Sequence, residues 1–255
     1  MKIDRKVFTG FLNKVQMSGT QQIQECIFDF GKDGLKVNAD CPTEQSKSMG
    51  WLKTPAFKVY EEIGKIGINE LDKFIKVVDK FSDLIELPTE GNVATIKDKN
   101  GKVDIELVDV NFISTPKEEP DLEFEETFKL PAKKLQTIFG AITLNKDTVI
   151  SITTVPKNVA FSNTGKYRFN YPIGAPTCKG GVKVDFGEPL IDATTKLDGE
   201  LEMSIGNNYP SKITEKGENM VITLIVAPRV AEDGAEEKTE EPEEEEKSEE
   251  WIGSM

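Results

Sequence analysis

The order of helical and strand patterns in this 255-residue chain repeats, and that repetition limits the folds open to it more than any single motif. Apolar residues recur with helical period at about 6–17 ("KVFTGFLNKVQM"), 69–81, 131–142 ("PAKKLQTIFGAI") and 188–196 ("EPLIDATTK"). Pro131 and Pro189 stand where a first helical turn tolerates proline. Almost everything else alternates or runs apolar at strand length, as in "QECIFDF", "KVDIELVDV", "KYRFNYPI" and "NMVITLIVA", with turn sequences such as "KDKNGK" and "EKGEN" between. Each half runs helix, strands, helix, strands, at an offset of about 115–125 residues, although residue identity between the halves is weak. The pattern predicts an α+β chain of two similar domains, 1–113 and 127–230. Between them "STPKEEPDLEFEE", 114–126, holds two prolines and a cluster of acids, and is expected to be an extended connector.

Charge separates the end of the chain from the rest. The net charge is −13, but Glu232–Glu250 alone carries twelve acids and two lysines, so the remainder is only mildly acidic. A run such as "EEKTEEPEEEEKSEE" repels itself and offers no core, so 231–255 is expected to be disordered, with Trp251 and Ile252 as unexpected apolar residues near its end. Those two suggest either a solubilising tail or a tethered peptide that regulates a docking groove.

Histidine is absent, which excludes Ser-His-Asp and Cys-His catalysis and every histidine metal site. Cys26, Cys41 and Cys178 are scattered and odd in number, as expected of reduced intracellular thiols. Nothing approaches the ~20 apolar residues of a membrane span. No phosphate-binding glycine loop, dinucleotide fingerprint, nucleophile elbow or calcium loop is present. The expectation is a protein that is not an enzyme and needs no cofactor or metal.

One helix then stands out. In "INELDKFIKVVDKF", 68–81, Leu71, Phe74, Ile75 and Val78 form an apolar stripe, while Lys73, Lys76 and Lys80 fall at i, i+3 and i+7 on another. Lys6 and Lys14 lie on the first helix, Lys133 and Lys134 on the third and Lys196 on the fourth. Solvated lysines opposite a core face are ordinary. If the helices share one side, however, that side is positive while the whole is negative, a layout suited to sequence-independent phosphate contact.

The chain resembles the sliding clamps of the proliferating cell nuclear antigen (PCNA) type. "YEEIGKIGINELDKFIKVVDKFSDLIEL" (60–87) is similar to that family's first-domain helix and strand, and "PDLEFEETFKLPAKKLQTI" (120–138) to its connector entering domain two. "LEMSIGNNYPSKI" and "VITLIVAPRV" resemble its C-terminal strands, ending on Ala227-Pro228-Arg229-Val230. The resemblance covers about 1–230. It implies a DNA-clamp fold: two similar domains per chain, an outer β layer, and four helices lining the hole of a ring, expected as a homotrimer, around double-stranded DNA.

It also implies roles. Lys14, Lys73, Lys76, Lys80, Lys133 and Lys196 would face DNA, with the fourth helix departing from the family by adding Asp192. Ala39, Gln45, Ser46, Pro120, Leu122, Pro210, Ile225, Ala227 and Pro228 would form a groove. There DNA polymerase, clamp loader, nuclease and ligase would dock through short PCNA-interacting (PIP-like) peptides. "FISTPKEE" departs from the usual apolar connector. Asp104, Ile105 and Glu106 of one subunit would pair with Lys166, Tyr167 and Arg168 of the next. The location implied is intracellular and DNA-associated. A checkpoint-type clamp subunit and a β-rich enzyme are the competing readings.

Overall fold

The computed structural model describes residues 1–87, 89–114, 121–144, 149–163 and 167–229. The acidic tail, much of the expected connector, Pro120 and Lys166 therefore lie outside the described residues.

The first half contains β1 (Lys2–Asp4), α1 (Arg5–Gln16), β2 (Cys26–Gly31), β3 (Gly34–Asp40), β4 (Ser46–Lys53), β5 (Phe57–Val59), β6 (Gly64–Ile68), α2 (Leu71–Val78), β7 (Leu84–Glu86), β8 (Thr89–Glu90), β9 (Val93–Lys97) and β10 (Lys102–Glu106). The second contains β11 (Glu126–Pro131), α3 (Ala132–Ile142), β12 (Ile150–Val155), β13 (Asn158–Ser162), β14 (Asn170–Gly174), β15 (Lys183–Phe186), α4 (Glu188–Thr194), β16 (Glu200–Ile205), β17 (Ser211–Lys216) and β18 (Met220–Val226).

Sheet order reveals the duplication more sharply than the element order does. The first half builds β4-β3-β2-β6 and β1-β7-β9-β10; the second builds β14-β13-β12-β15 and β11-β16-β17-β18 in the same sequence of neighbours. Within the chain the halves join where β18 pairs antiparallel with β4, from Met220 opposite Leu52 to Val226 opposite Ser46, making one eight-stranded sheet. The counterparts of those two strands are β10 and β14. Each of these is an outer strand of its sheet, with a hydrogen-bonded neighbour on one side only among the described residues.

The helices lie on one side of this β layer. α1 packs against β4 and β18, α4 against β18, α2 on α1 and α3 on α4. Asp4 caps α1, accepting hydrogen bonds from the amides of Lys6 (2.9 Å) and Val7 (3.1 Å). The buried Phe8, Phe11, Leu12 and Val15 then form its core stripe. On α2, Leu71, Phe74, Ile75 and Val78 are all buried, as their spacing predicts. Phe28 meets Phe74 edge-to-face at 5.6 Å and Phe8 at 6.4 Å. In the second half Phe161 stands in the same way 6.4 Å from both Phe128 and Phe139. Each such ring removes about 1.5–3 kcal/mol worth of apolar surface from water. A Cβ on Gly50 of β4 would stand 2.4 Å from Val15, so glycine is what lets α1 settle onto the joint between the halves. Among the described residues no helix is long and apolar enough to cross a membrane.

Candidate nucleic-acid interface and partner groove

Packing α2 by its apolar stripe turns Lys73 and Lys76 away from the sheets, and both side chains are 71 % exposed. Each leans on a neighbouring acid, Lys73 on Glu70 and Lys76 on Asp72. These exposed one-turn pairs hold the lysines weakly, by about 0.3–0.5 kcal/mol. Lys133 is exposed on α3. Lys80 and Lys196 are exposed too, but α2 ends at Val78 and α4 at Thr194, so both stand in the turns beyond their helices. The lysine stripe of 68–81 is thus two helical residues and one turn residue.

Lys14 behaves differently from the expectation. Only 7 % of it is exposed, and its ammonium lies 2.6 Å from both Asp198 and Glu215, the latter on β17 of the other half. Burial alone would depress this ammonium, but the hydrogen bonds to Asp198 and Glu215 outweigh it and its pKa is raised above the ordinary lysine value. Lys14 ties α1 to the second half and does not present a free charge. Asp192, the acid that sets the fourth helix apart, is also used between halves. It accepts hydrogen bonds from the amide (2.8 Å) and hydroxyl (3.1 Å) of Thr20, while Ser18 Oγ donates to its carbonyl.

The groove residues converge in part. The Ala227 amide donates to the carbonyl of Gln45 at 2.9 Å, and Ser46 pairs with Val226, so the loop before β4 and the end of β18 meet. Gln45 and Ala227 are exposed, while Leu122, Pro210 and Pro228 are half-buried. Ile225 is nearly buried, in a cross-strand row with Lys47 and Asp40. Ala39 does not join that row: it pairs with Ser48, in the row facing the opposite side of the sheet, and is buried. It does line a cavity of about 440 Å³ beside the 41–45 loop, together with Cys26, Asp40, Cys41 and Ser114. Two aromatic residues were not among the expected groove residues. Phe124 of the connector meets Tyr209 edge-to-face at 6.0 Å, next to Leu122 and Pro210. Their signal is present in the sequence as single aromatics beside two expected groove residues, but a lone aromatic carries no periodicity.

At the sheet edges, Val103 of β10 is 40 % exposed and Tyr167, just before β14, 56 %, large apolar surface beside outer strands. Asp104 is exposed, bonded to Thr95 Oγ1 (2.7 Å) and Lys102 Nζ (3.3 Å), and these two contacts hold its carboxyl below the usual carboxylate range. Ile105 is half-buried, and Glu106 and Arg168 are exposed. β14 begins at Asn170, so Tyr167 and Arg168 precede the strand instead of lying in it.

This is the two-domain α+β fold of the DNA clamps. No protein-family model and no curated protein matches the chain, but solved PCNA structures share its fold. The A. fulgidus PCNA, solved with the C-terminal region of FEN-1 bound, superposes with a TM-score of 0.80 at 16 % identity, over 90 % of this chain and 98 % of that one. The Entamoeba histolytica proliferating cellular nuclear antigen gives 0.76 at 18 % identity, over 90 % and 98 %. A structure of the PCNA2–PCNA3 complex from Sulfolobus tokodaii gives 0.72 at 17 % identity, over 90 % and 99 %.

Proposed function

We propose that this chain is a DNA sliding clamp, a non-catalytic scaffold that closes into a homotrimeric ring around duplex DNA and docks replication and repair proteins by short peptides. The observation that carries the reading is the joint between the halves. β18 pairs with β4 inside the chain, and their structural counterparts β10 and β14 are left as outer strands. A second copy completes the pattern by pairing its β14 with β10, and a ring is what such head-to-tail pairing yields when the rotation closes.

The duplication also supplies a register. The helix caps Asp4 and Pro131 correspond, as do the two-residue hairpins closed by Gly31 and Gly34 and by Val155 and Asn158. Following the described pairings outward matches Leu224, Ile225 and Val226 with Val103, Asp104 and Ile105, and matches Ser48, Lys47 and Ser46 with Phe169, Arg168 and Tyr167. The pairing between copies then sets Val103 opposite Phe169, Asp104 opposite Arg168 and Ile105 opposite Tyr167. Apolar faces apolar, acid faces base, and the exposed surface of Val103 and Tyr167 is covered. Glu106 continues the same register, and Lys166, expected opposite it, lies outside the described residues.

With the helices on one side of the β layer, Lys73, Lys76, Lys80, Lys133 and Lys196 would line the hole and meet phosphates without fixed register, which permits sliding. Lys14 would act as the tie between domains 1–113 and 127–230. The groove would take an aromatic-ended peptide between the connector residues Leu122 and Phe124, Tyr209 and Pro210, and the Gln45–Ala227 contact. Among the clamps of this fold, the A. fulgidus protein was solved with a partner's C-terminal region bound, and the S. tokodaii proteins as a complex of two clamps.

Locking the ring on DNA tests the proposal. Ile105→Cys/Tyr167→Cys protein is assembled on a DNA minicircle, oxidised and washed at high salt. Retention on the circle and release on cutting it are expected; equal loss from both, or equal retention on both, would overturn topological binding.

A further inference from the structure

The outward face of the eight-stranded sheet carries a patch that the clamp reading leaves unused. Trp51 on β4 lies between Lys36 on β3 and Val221 on β18 in one cross-strand row. The ammonium of Lys36 stands 5.7 Å and that of Lys53 5.6 Å from the centre of the Trp51 ring. Lys53 also donates to the carbonyl of Glu218 at 3.1 Å, but among the described residues neither lysine has a carboxylate partner. Met49, Trp51 and Val221 line a shallow depression of about 270 Å³ beside them. Asp29 of β2 opposes Lys36 without closing an ion pair. An indole flanked by two cations that have no ion-pair partner among the described residues, with apolar surface next to it, suits an aromatic side chain accompanied by acids.

The chain contains such a segment. Glu249 and Glu250 directly precede Trp251 and Ile252, at the end of a stretch that carries most of the molecule's net negative charge. We infer that the segment 240–252 docks on the Trp51 patch of its own chain, Trp251 and Ile252 lying against Met49, Trp51 and Val221, and Glu249 and Glu250 meeting Lys36 and Lys53. Length allows it. From Val221, opposite Trp51, β18 and the residues after it run to Arg229 over at most about 26 Å, at ~3.3 Å per residue. The chain between Arg229 and Trp251 extends to roughly 70 Å. The cavity beside the partner groove is lined by Glu25, Asp40 and Glu44, with Asp40 paired to Lys47 at 3.6 Å, and so is less cationic than the Trp51 patch. The docking stands independently of ring closure. If the chain does encircle DNA, the docked segment also cancels a cationic patch on the face that DNA must not occupy.

Zero-length coupling of carboxylates to amines in the full-length chain, mapped by mass spectrometry, tests this. A mixture of isotopically light and heavy chains separates links within one chain from links between chains. The expected result is coupling of glutamates 240–250 to Lys36 and Lys53 within one chain, reduced at least several-fold by Trp251→Ala and by ~1 M salt. Lys36→Gln/Lys53→Gln protein should show no compensating rise at Lys73, Lys76 or Lys133. Coupling mainly to those helix lysines, links only between chains, or no coupling of the segment would each overturn the inference. So would coupling unaffected by Trp251→Ala, which would reduce the contact to charge alone.

Discussion

Lys14 Nζ on α1 lies 2.6 Å from Glu215 Oε1 on β17, a contact between the two halves of the chain in which both partners are buried. Removing the ammonium leaves Glu215, only 5 % exposed, without compensation. Lys14→Met should therefore lower stability by about 3–5 kcal/mol, and Lys14→Met/Glu215→Leu should recover much of it. Asp198, the other partner, has a side chain 79 % exposed, so Asp198→Asn should change stability by no more than ~1 kcal/mol. Urea midpoints of the four proteins check this ordering. The folded pKa of Lys14 is raised, so its contribution is complete below the unfolded value of about 10.5 and is lost as pH rises through the higher folded value. The stability gap between the native chain and Lys14→Met should stay constant up to about pH 10.5 and narrow only as pH rises from there through the folded value.

Asp98 sets the acid side. Its carboxylate accepts hydrogen bonds from the amides of Ser82 (2.7 Å), Asn100 (2.7 Å) and Gly101 (3.1 Å), the first of which is the largest cause of a pKa lowered to about 2. A depressed carboxyl stabilises above its unfolded value, 3.8, and loses that contribution as pH falls toward 2. Thermal midpoints of the native chain and Asp98→Asn should differ at neutral pH and converge across that window.

Reversing charge on α2 should separate fold from DNA binding. Lys73→Glu/Lys76→Glu turns two exposed one-turn ion pairs into like-charge pairs of similarly small cost and should leave the melting temperature within a few degrees. DNA retention should weaken, and the salt dependence of binding should become shallower by about 0.9 for each phosphate that the variant no longer neutralises. Titrations at several salt concentrations give both quantities.

In the groove, Tyr209→Ala removes one ring of the Phe124–Tyr209 pair beside Leu122 and Pro210. Affinity for an aromatic-ended PIP-like peptide should fall tenfold or more, as for truncation of a buried aromatic anchor. Retention on circular DNA should be unchanged. Fluorescence anisotropy of a labelled peptide reads the first and the minicircle assay the second.

The helices and most strands are legible in the sequence because packing leaves their periodicity intact. Leu71, Phe74, Ile75 and Val78 are buried as their spacing requires, and "GLKVNA" and "GELEMSI" form β3 and β16. β4 is not legible. Of its four helix-facing positions, Ser46, Ser48 and Gly50 are small, Gly50 where α1 approaches closely, and only Leu52 is apolar, so no apolar alternation announces a strand. β17 is hidden for a related reason, since the buried position Glu215 is a charge explained only by Lys14, 201 residues away. The same long-range pairing buries Lys14 and takes up its charge. "KVDIELVDV" overstates β10, which ends at Glu106 before a short helical turn at Val110–Phe112.

The register between copies is the most direct test of ring closure. Opposed residues of an antiparallel pair stand ~4.5–5.5 Å apart at Cα, within disulfide reach, and Cys26, Cys41 and Cys178 are all buried and do not compete. Ile105→Cys/Tyr167→Cys protein should oxidise to a covalent trimer with the light-scattering mass of three chains, while the slipped pair Ile105→Cys/Arg168→Cys should cross-link far less. A single-chain mass before oxidation, with no covalent trimer after it, would contradict the clamp account.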